Sequence, residues 1–168
     1  MGIFRGGHLA ASVTTHFDGG QANATEPIDP FSDRPDFAVV AYGVLSMDAE
    51  ITHPGSRRNL LGPDPDPALV EQLSNEKHIK HDTPSCFLFH TGNDAVVPVE
   101  NSLRFYAALK REGIPAELHI FEQGNHGVGL AQKSPQLRRW PELLEGWMRL
   151  HGWISTAGEP SAAEESTH

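Results

Sequence analysis

The sequence predicts an α/β fold, a short parallel sheet flanked by helices. Three observations carry that expectation. Two apolar runs, Phe37-Ala-Val-Val-Ala-Tyr42 and Cys86-Phe87-Leu88-Phe89, are continuous rather than alternating, as strands covered on both faces are. A third strand reads Glu117-Leu118-His119-Ile120-Phe121. Helical patterns lie between and around these strands, and short right-handed crossovers would make the sheet parallel.

Taken in order, His8 to Thr15 is helix-like, with Leu9, Ala10, Ala11 and Val13 supplying apolar positions. Asp18 to Pro35 is rich in Gly, Asn, Pro and Asp and reads as a long loop. After the Phe37–Tyr42 strand, Ser46 to Asp66 carries Pro54, Gly55, Gly62, Pro63 and Pro65; it is expected to be an irregular excursion able to wall a pocket. Pro67 to Leu73 is a short helix opened by proline, which fits a first helical turn because its missing N–H has no partner there. The Cys86–Phe89 strand is bounded by Pro84 and Gly92. Val99 to Glu112 is a helix with Leu103, Phe105, Tyr106, Ala107 and Leu109 on a wide apolar face and Gly113 as its stop. Trp140, Leu143, Leu144, Trp147 and Met148 keep helical spacing and mark a last amphipathic helix, whose aromatic residues read as core. The expected organisation is one domain over residues 1–154, followed by a disordered acidic tail over residues 155–168.

The chain of 168 residues is long enough for a core, and its formal net charge of −9 argues against nucleic acid as a partner, which needs a basic face. No apolar run is long enough to span a membrane, and the start, Met1-Gly-Ile-Phe-Arg, lacks the apolar stretch of a signal peptide; a cytoplasmic protein is expected. Cys86 is the single cysteine and lies in a predicted buried strand, where it reads as a small core residue. His78 and His81 have no obvious third partner, so no metal site is expected.

The chemistry concentrates at two strand ends. The strand ending at Phe89 runs into Gly92-Asn93-Asp94, and the strand ending at Phe121 runs into Glu122-Gln123-Gly124-Asn125-His126-Gly127. Loops at the carboxyl ends of parallel strands are where α/β folds place ligand and catalytic groups. Asp94 and then His126 follow the second half of the order nucleophile, acid, histidine. In that arrangement the acid holds the imidazole in one tautomer and the imidazole moves protons to and from a nucleophile. Either residue alone would read as a turn acid or a surface histidine; on successive strand–turn units they read as a pair.

These residues resemble a known family. Gly6-Gly7-His8-Leu9-Ala10, Arg34-Pro35-Asp36-Phe37, Tyr42 with Ser46-Met47, the run His53 to Gly62, Phe89-His90-Thr91 with Asp94-Ala95-Val96-Val97-Pro98, and Gly124 with His126-Gly127 are similar to the C-terminal half of an α/β-hydrolase esterase. The subgroup is that of acetylxylan esterases and small lipase-like enzymes, and the likeness covers roughly residues 1 to 150. It implies hydrolysis of short acyl esters, often acetyl groups on sugars, with no cofactor or metal and a small ester or acetylated sugar as substrate. Asp94 would orient and His126 would act as general base. Such enzymes carry a serine within Gly-x-Ser-x-Gly on a sharp strand-to-helix turn. Here Gly2-Ile3-Phe4-Arg5-Gly6 occupies that frame, so Phe4 stands at the nucleophile position and the Arg5 N–H at one oxyanion position. The family's strands and glycine-rich loop ahead of this turn are not found in the chain. Ser12, Ser46 and His8 read as helix, turn and packing residues respectively rather than as catalytic substitutes. The expectation is therefore an esterase-type chain that is itself inactive. The competing readings are a non-catalytic binding domain and a fragment that self-associates through its Phe37–Tyr42 edge as a homo-oligomer.

Overall fold

The structure, a computed structural model, describes residues 6–20 and 31–155. Phe4, Arg5 and the tail beyond Ser155 lie outside the described residues, as does the middle of the Asp18–Pro35 loop. The chain forms two compact units, Met1–Gly129 and Leu130–His168.

The first unit is built on a parallel sheet in the order β1-β2-β3, with β1 Phe37–Ala41, β2 Ser85–Thr91 and β3 Ala116–Phe121. Val39 pairs with Phe87, and Phe87 with Glu117. The central strand is buried from Cys86 to Thr91, which is why its sequence is apolar without alternation. One core cluster joins Ala38 and Val40 of β1, Cys86 and Leu88 of β2, Ala11 of helix α1 (Gly6–Thr15), and Phe105 and Leu109 of helix α4 (Glu100–Arg111). Burial raises the Cys86 thiol to about 12, so it stays protonated and serves as core. Gly7 lets α1 reach the end of β1: a Cβ there would stand 2.5 Å from the Gly43 Cα.

The Ser46–Asp66 stretch, expected to be irregular, contains helix α2, Pro54–Leu61. It starts on a strong local signal, with Pro54 in its first turn and the His53 ring nitrogen accepting from the Ser56 N–H at 3.1 Å. No residue of α2 is buried, so it lacks the apolar periodicity that reveals a helix in sequence. Helix α3, Pro67–Gln72, follows behind Asp66, whose carboxylate caps the Ala68 N–H at 2.8 Å.

In the second unit a 3-10 turn at Leu137–Arg139 leads into helix α5, Trp140–Leu150. Trp147 on its apolar face meets the rings of His151 and Trp153, each at 4.8 Å. Among the described residues, no helix is long and apolar enough to cross a membrane.

Candidate active site

β2 and β3 lie side by side and parallel, so the loops at their carboxyl ends emerge next to each other. Three hydrogen bonds tie these loops together. The Gly92 N–H donates to the Phe121 carbonyl at 2.7 Å, the Thr91 hydroxyl to the Gly124 carbonyl at 2.9 Å, and the Gly124 N–H to the Asn93 side-chain oxygen at 2.8 Å. Asp94 and His126 are thereby brought together: the His126 Nδ1 lies 2.7 Å from the Asp94 Oδ2, with the two side chains 2% and 0% exposed.

The other carboxylate oxygen, Oδ1, accepts from the Val96 and Val97 N–H groups at 2.9 and 3.0 Å. Burial alone would raise the Asp94 carboxyl. The Val97 and Val96 N–H groups and the His126 imidazole outweigh it and hold the group below the usual carboxylate range. Asp94 is therefore ionised at neutral pH and can only accept, so Nδ1 of His126 donates to it. Nε2 is then the nitrogen that carries the lone pair of a neutral ring.

Beneath this pair lies His90, fully buried in β2. Its Nε2 is 3.0 Å from the Val97 carbonyl and 3.5 Å from the Asp94 Oδ2, and its Nδ1 is 2.7 Å from the Ser102 hydroxyl. A carbonyl can only accept, so Nε2 carries the proton and Nδ1 accepts from Ser102. Burial, opposed by the Val97 carbonyl and by Asp94, keeps His90 below its ordinary value and neutral. This ring pins the Val96–Val97 segment that cradles Asp94.

On the His126 side, Tyr42 stands at the end of β1 with φ +39°, a left-handed conformation that is rare for a bulky residue. Its ring meets the His126 ring edge-on at 5.1 Å, and its hydroxyl accepts from the Gly129 N–H at 3.3 Å. Gly127 and Gly129 have φ +77° and +56°, so the loop that returns His126 to the sheet needs glycine at both positions.

The sequence singled out Asp94 and His126, and the structure brings them together. His90 carried only its likeness to the family; its part as a support arises from its burial and its contacts with Val97 and Ser102. Tyr42 carried only its likeness to the family, and nothing in sequence shows a positive φ. Of the substitute residues, His8 bonds the Val44 carbonyl through Nδ1 at 2.9 Å. The Ser12 hydroxyl donates to the His8 carbonyl at 3.0 Å within α1, and the fully buried Ser46 hydroxyl accepts from the Asp48 N–H at 3.2 Å. These are structural roles. No cluster of three or more His, Cys, Asp or Glu side chains suited to a metal ion occurs among the described residues.

The chain is similar to known proteins. An endo-1,4-beta-xylanase B from Butyrivibrio fibrisolvens is 37% identical over 147 residues, which is 88% of this chain and 22% of that protein. An acetylxylan esterase from Xylanibacter ruminicola is 32% identical over 153 residues, 89% of this chain and 29% of that protein. The crystal structure of an acetyl ester-xyloside bifunctional hydrolase from Caldicellulosiruptor lactoaceticus superposes with a TM-score of 0.88 at 47% identity, over 90% of this chain and 56% of that one. The chain thus spans less than a third of the curated relatives and just over half of the solved structure. The profile of the prolyl oligopeptidase family matches residues 31–149, and the chain belongs to this family of α/β-hydrolases.

Proposed function

We propose that this chain carries the acid–histidine part of a carboxylic ester hydrolase that removes short acyl groups, acetyl above all, from sugars. The observation that carries the reading is the buried 2.7 Å contact between His126 and an ionised Asp94 on adjacent strand ends. The printed names of relatives that act on xylan or its acetyl esters support the sugar ester as substrate. With a serine in the Gly-x-Ser-x-Gly frame, the His126 Nε2 takes the hydroxyl proton as the oxygen attacks the ester carbonyl. It then returns that proton to the departing sugar alkoxide, while Asp94 stabilises the imidazolium formed in between. Water repeats the sequence and releases the acid.

In this chain the frame holds Phe4, and a phenyl ring has no atom that can attack a carbonyl. That residue favours a second reading, a domain that binds the sugar ester without turning it over. Both readings place the sugar ester at His126. The expected result is that an acetylated xylo-oligosaccharide shifts the His126 ring resonances in the purified chain and that the deacetylated sugar does not. Turnover of p-nitrophenyl acetate is expected to be negligible. Clear turnover abolished by His126→Ala would place a nucleophile elsewhere in the chain and overturn the assignment of Phe4. Absence of any shift at His126 overturns the substrate.

A further inference from the structure

Helix α2 takes no part in the Asp94–His126 pair, yet with the residues on either side it walls a cavity of about 240 Å³ lined by Ala49, Thr52, Pro54, Arg57, Arg58 and Pro63. In a chain of net charge −9, this wall carries two arginines, and neither forms an ion pair among the described residues. Of the acids on either side of the helix, Asp48 and Glu50 face Arg104, at 3.1 and 3.7 Å, Asp66 caps the Ala68 N–H, and Asp64 forms no ion pair with either arginine among the described residues. The Arg57 Nε donates to the Met47 carbonyl at 2.9 Å, which fixes the plane of its guanidinium and leaves the terminal N–H groups for another acceptor.

Thr52 adds an independent sign. Its side chain is buried and its hydroxyl has no hydrogen-bond partner among the described residues, where a buried hydroxyl ordinarily finds one. The same helix also touches the packing behind the acid. Leu61 of α2 packs on the cluster of Val44, Met47 and Val97 that also receives Val96, and the Val96 and Val97 N–H groups are those that hold Asp94.

We propose that this cavity is a subsite for a carboxylate-bearing sugar residue, a hexuronic acid, attached to the acylated sugar. Its place in a reaction rests on the ester-hydrolase reading above; its binding does not. A flat guanidinium fork matches a carboxylate with two parallel hydrogen bonds. Pro54, Pro63 and Ala49 give the C–H face of a sugar an apolar surface. The size suits one ring rather than a chain. The overall negative charge repels polyanions, so the carboxylate must come singly on an otherwise neutral carbohydrate.

Titration of the full chain with methyl β-D-glucuronide, followed through backbone amide signals, tests the site. The expected result is saturable shifts confined to residues 49–63, with methyl β-D-glucoside binding at least about tenfold more weakly for want of the charge-assisted hydrogen bonds. Arg58→Gln, at an exposed position, should weaken the glucuronide several-fold and leave the spectrum elsewhere unchanged; Arg57→Gln should do so more strongly. Equal binding of the glucoside, inorganic phosphate binding as well as the glucuronide, shifts elsewhere in the chain, or no saturable shift would each overturn the proposal. If the acetylated xylo-oligosaccharide leaves His126 unmoved while the glucuronide still binds, the ester reading falls and the sugar-acid site stands.

Discussion

Tyr42 serves His126 twice, through an edge-on ring contact and through a hydroxyl that anchors Gly129. The two can be separated. Tyr42→Phe keeps the ring and removes one hydrogen bond, so a loss of about 0.5–1.5 kcal/mol is expected in denaturant unfolding, with the His126 resonances broadened as its loop loosens. Tyr42→Leu should cost more and displace those resonances outright. Unchanged His126 signals in both variants would reduce Tyr42 to a packing residue. Glu76 presents a different case, an acid inside the fold. It is buried, and its Oε2 has no hydrogen-bond partner among the described residues. Burial raises its carboxyl, and the Ser46 hydroxyl, the Glu76 N–H and Lys77 only partly offset that. A folded value above the unfolded one means that its contribution is fully present below about pH 4.5 and is lost as pH rises through the folded value. Glu76→Gln is therefore expected to raise the thermal midpoint at pH 7 and to change it little at pH 4; an equal rise at both would rule out titration as the cause. Asp94 and His126 were legible in the sequence because their meaning lies in order along the chain. Tyr42, His90 and Glu76 were not, because theirs arises from burial and backbone angles that only the folded chain creates.

The start of α4 is the element that fixes the path of the chain beyond β1. Asn101, fully buried, accepts from the Leu45 and Ser46 N–H groups at 2.9 and 3.1 Å and donates to the Ile51 and Pro98 carbonyls at 2.6 and 3.0 Å. One amide thus meets four backbone groups, and the Pro98 carbonyl also accepts from the Asn101 N–H at 3.1 Å. Asn101→Leu keeps the branched shape and removes the partner of the Leu45 and Ser46 N–H groups and of the Ile51 carbonyl, so a loss of about 3 kcal/mol or more is expected. Asn101→Asp keeps the two accepting contacts and should cost less; equal losses would mean that the side chain acts by shape alone. The apolar face of α4 made that helix readable from its spacing, with Phe105, Ala108 and Leu109 buried against the sheet. α2 was hidden for the converse reason. Nothing buries it, and its evidence is local, a proline in the first turn and a histidine cap, at a site where Pro and Gly otherwise signal irregular chain.

At the scale of the molecule, the parallel sheet was readable because β2 is covered on both faces and shows it as an uninterrupted apolar run. The strand order follows from pairings between distant segments, which a sequence records only through family likeness. That order leaves one property to test. Within the described residues β1 has a single sheet neighbour, β2, while β2 has two. Ala38 and Val40 face the core cluster, and Val39 lies on the opposite face of the strand. No lysine or proline interrupts Phe37 to Ala41, so nothing in the strand discourages pairing with another chain. The net charge of −9 opposes association in general, but at physiological salt it is screened within about 8 Å and cannot block one edge-to-edge contact. The purified chain is expected to form dimers or larger species in light scattering, shifting towards monomer in Val39→Lys. The association should strengthen with added salt, because screening weakens the repulsion between like-charged chains. A monodisperse monomer at high concentration, with fast amide exchange along residues 37–41, would show that the edge is present but unpaired.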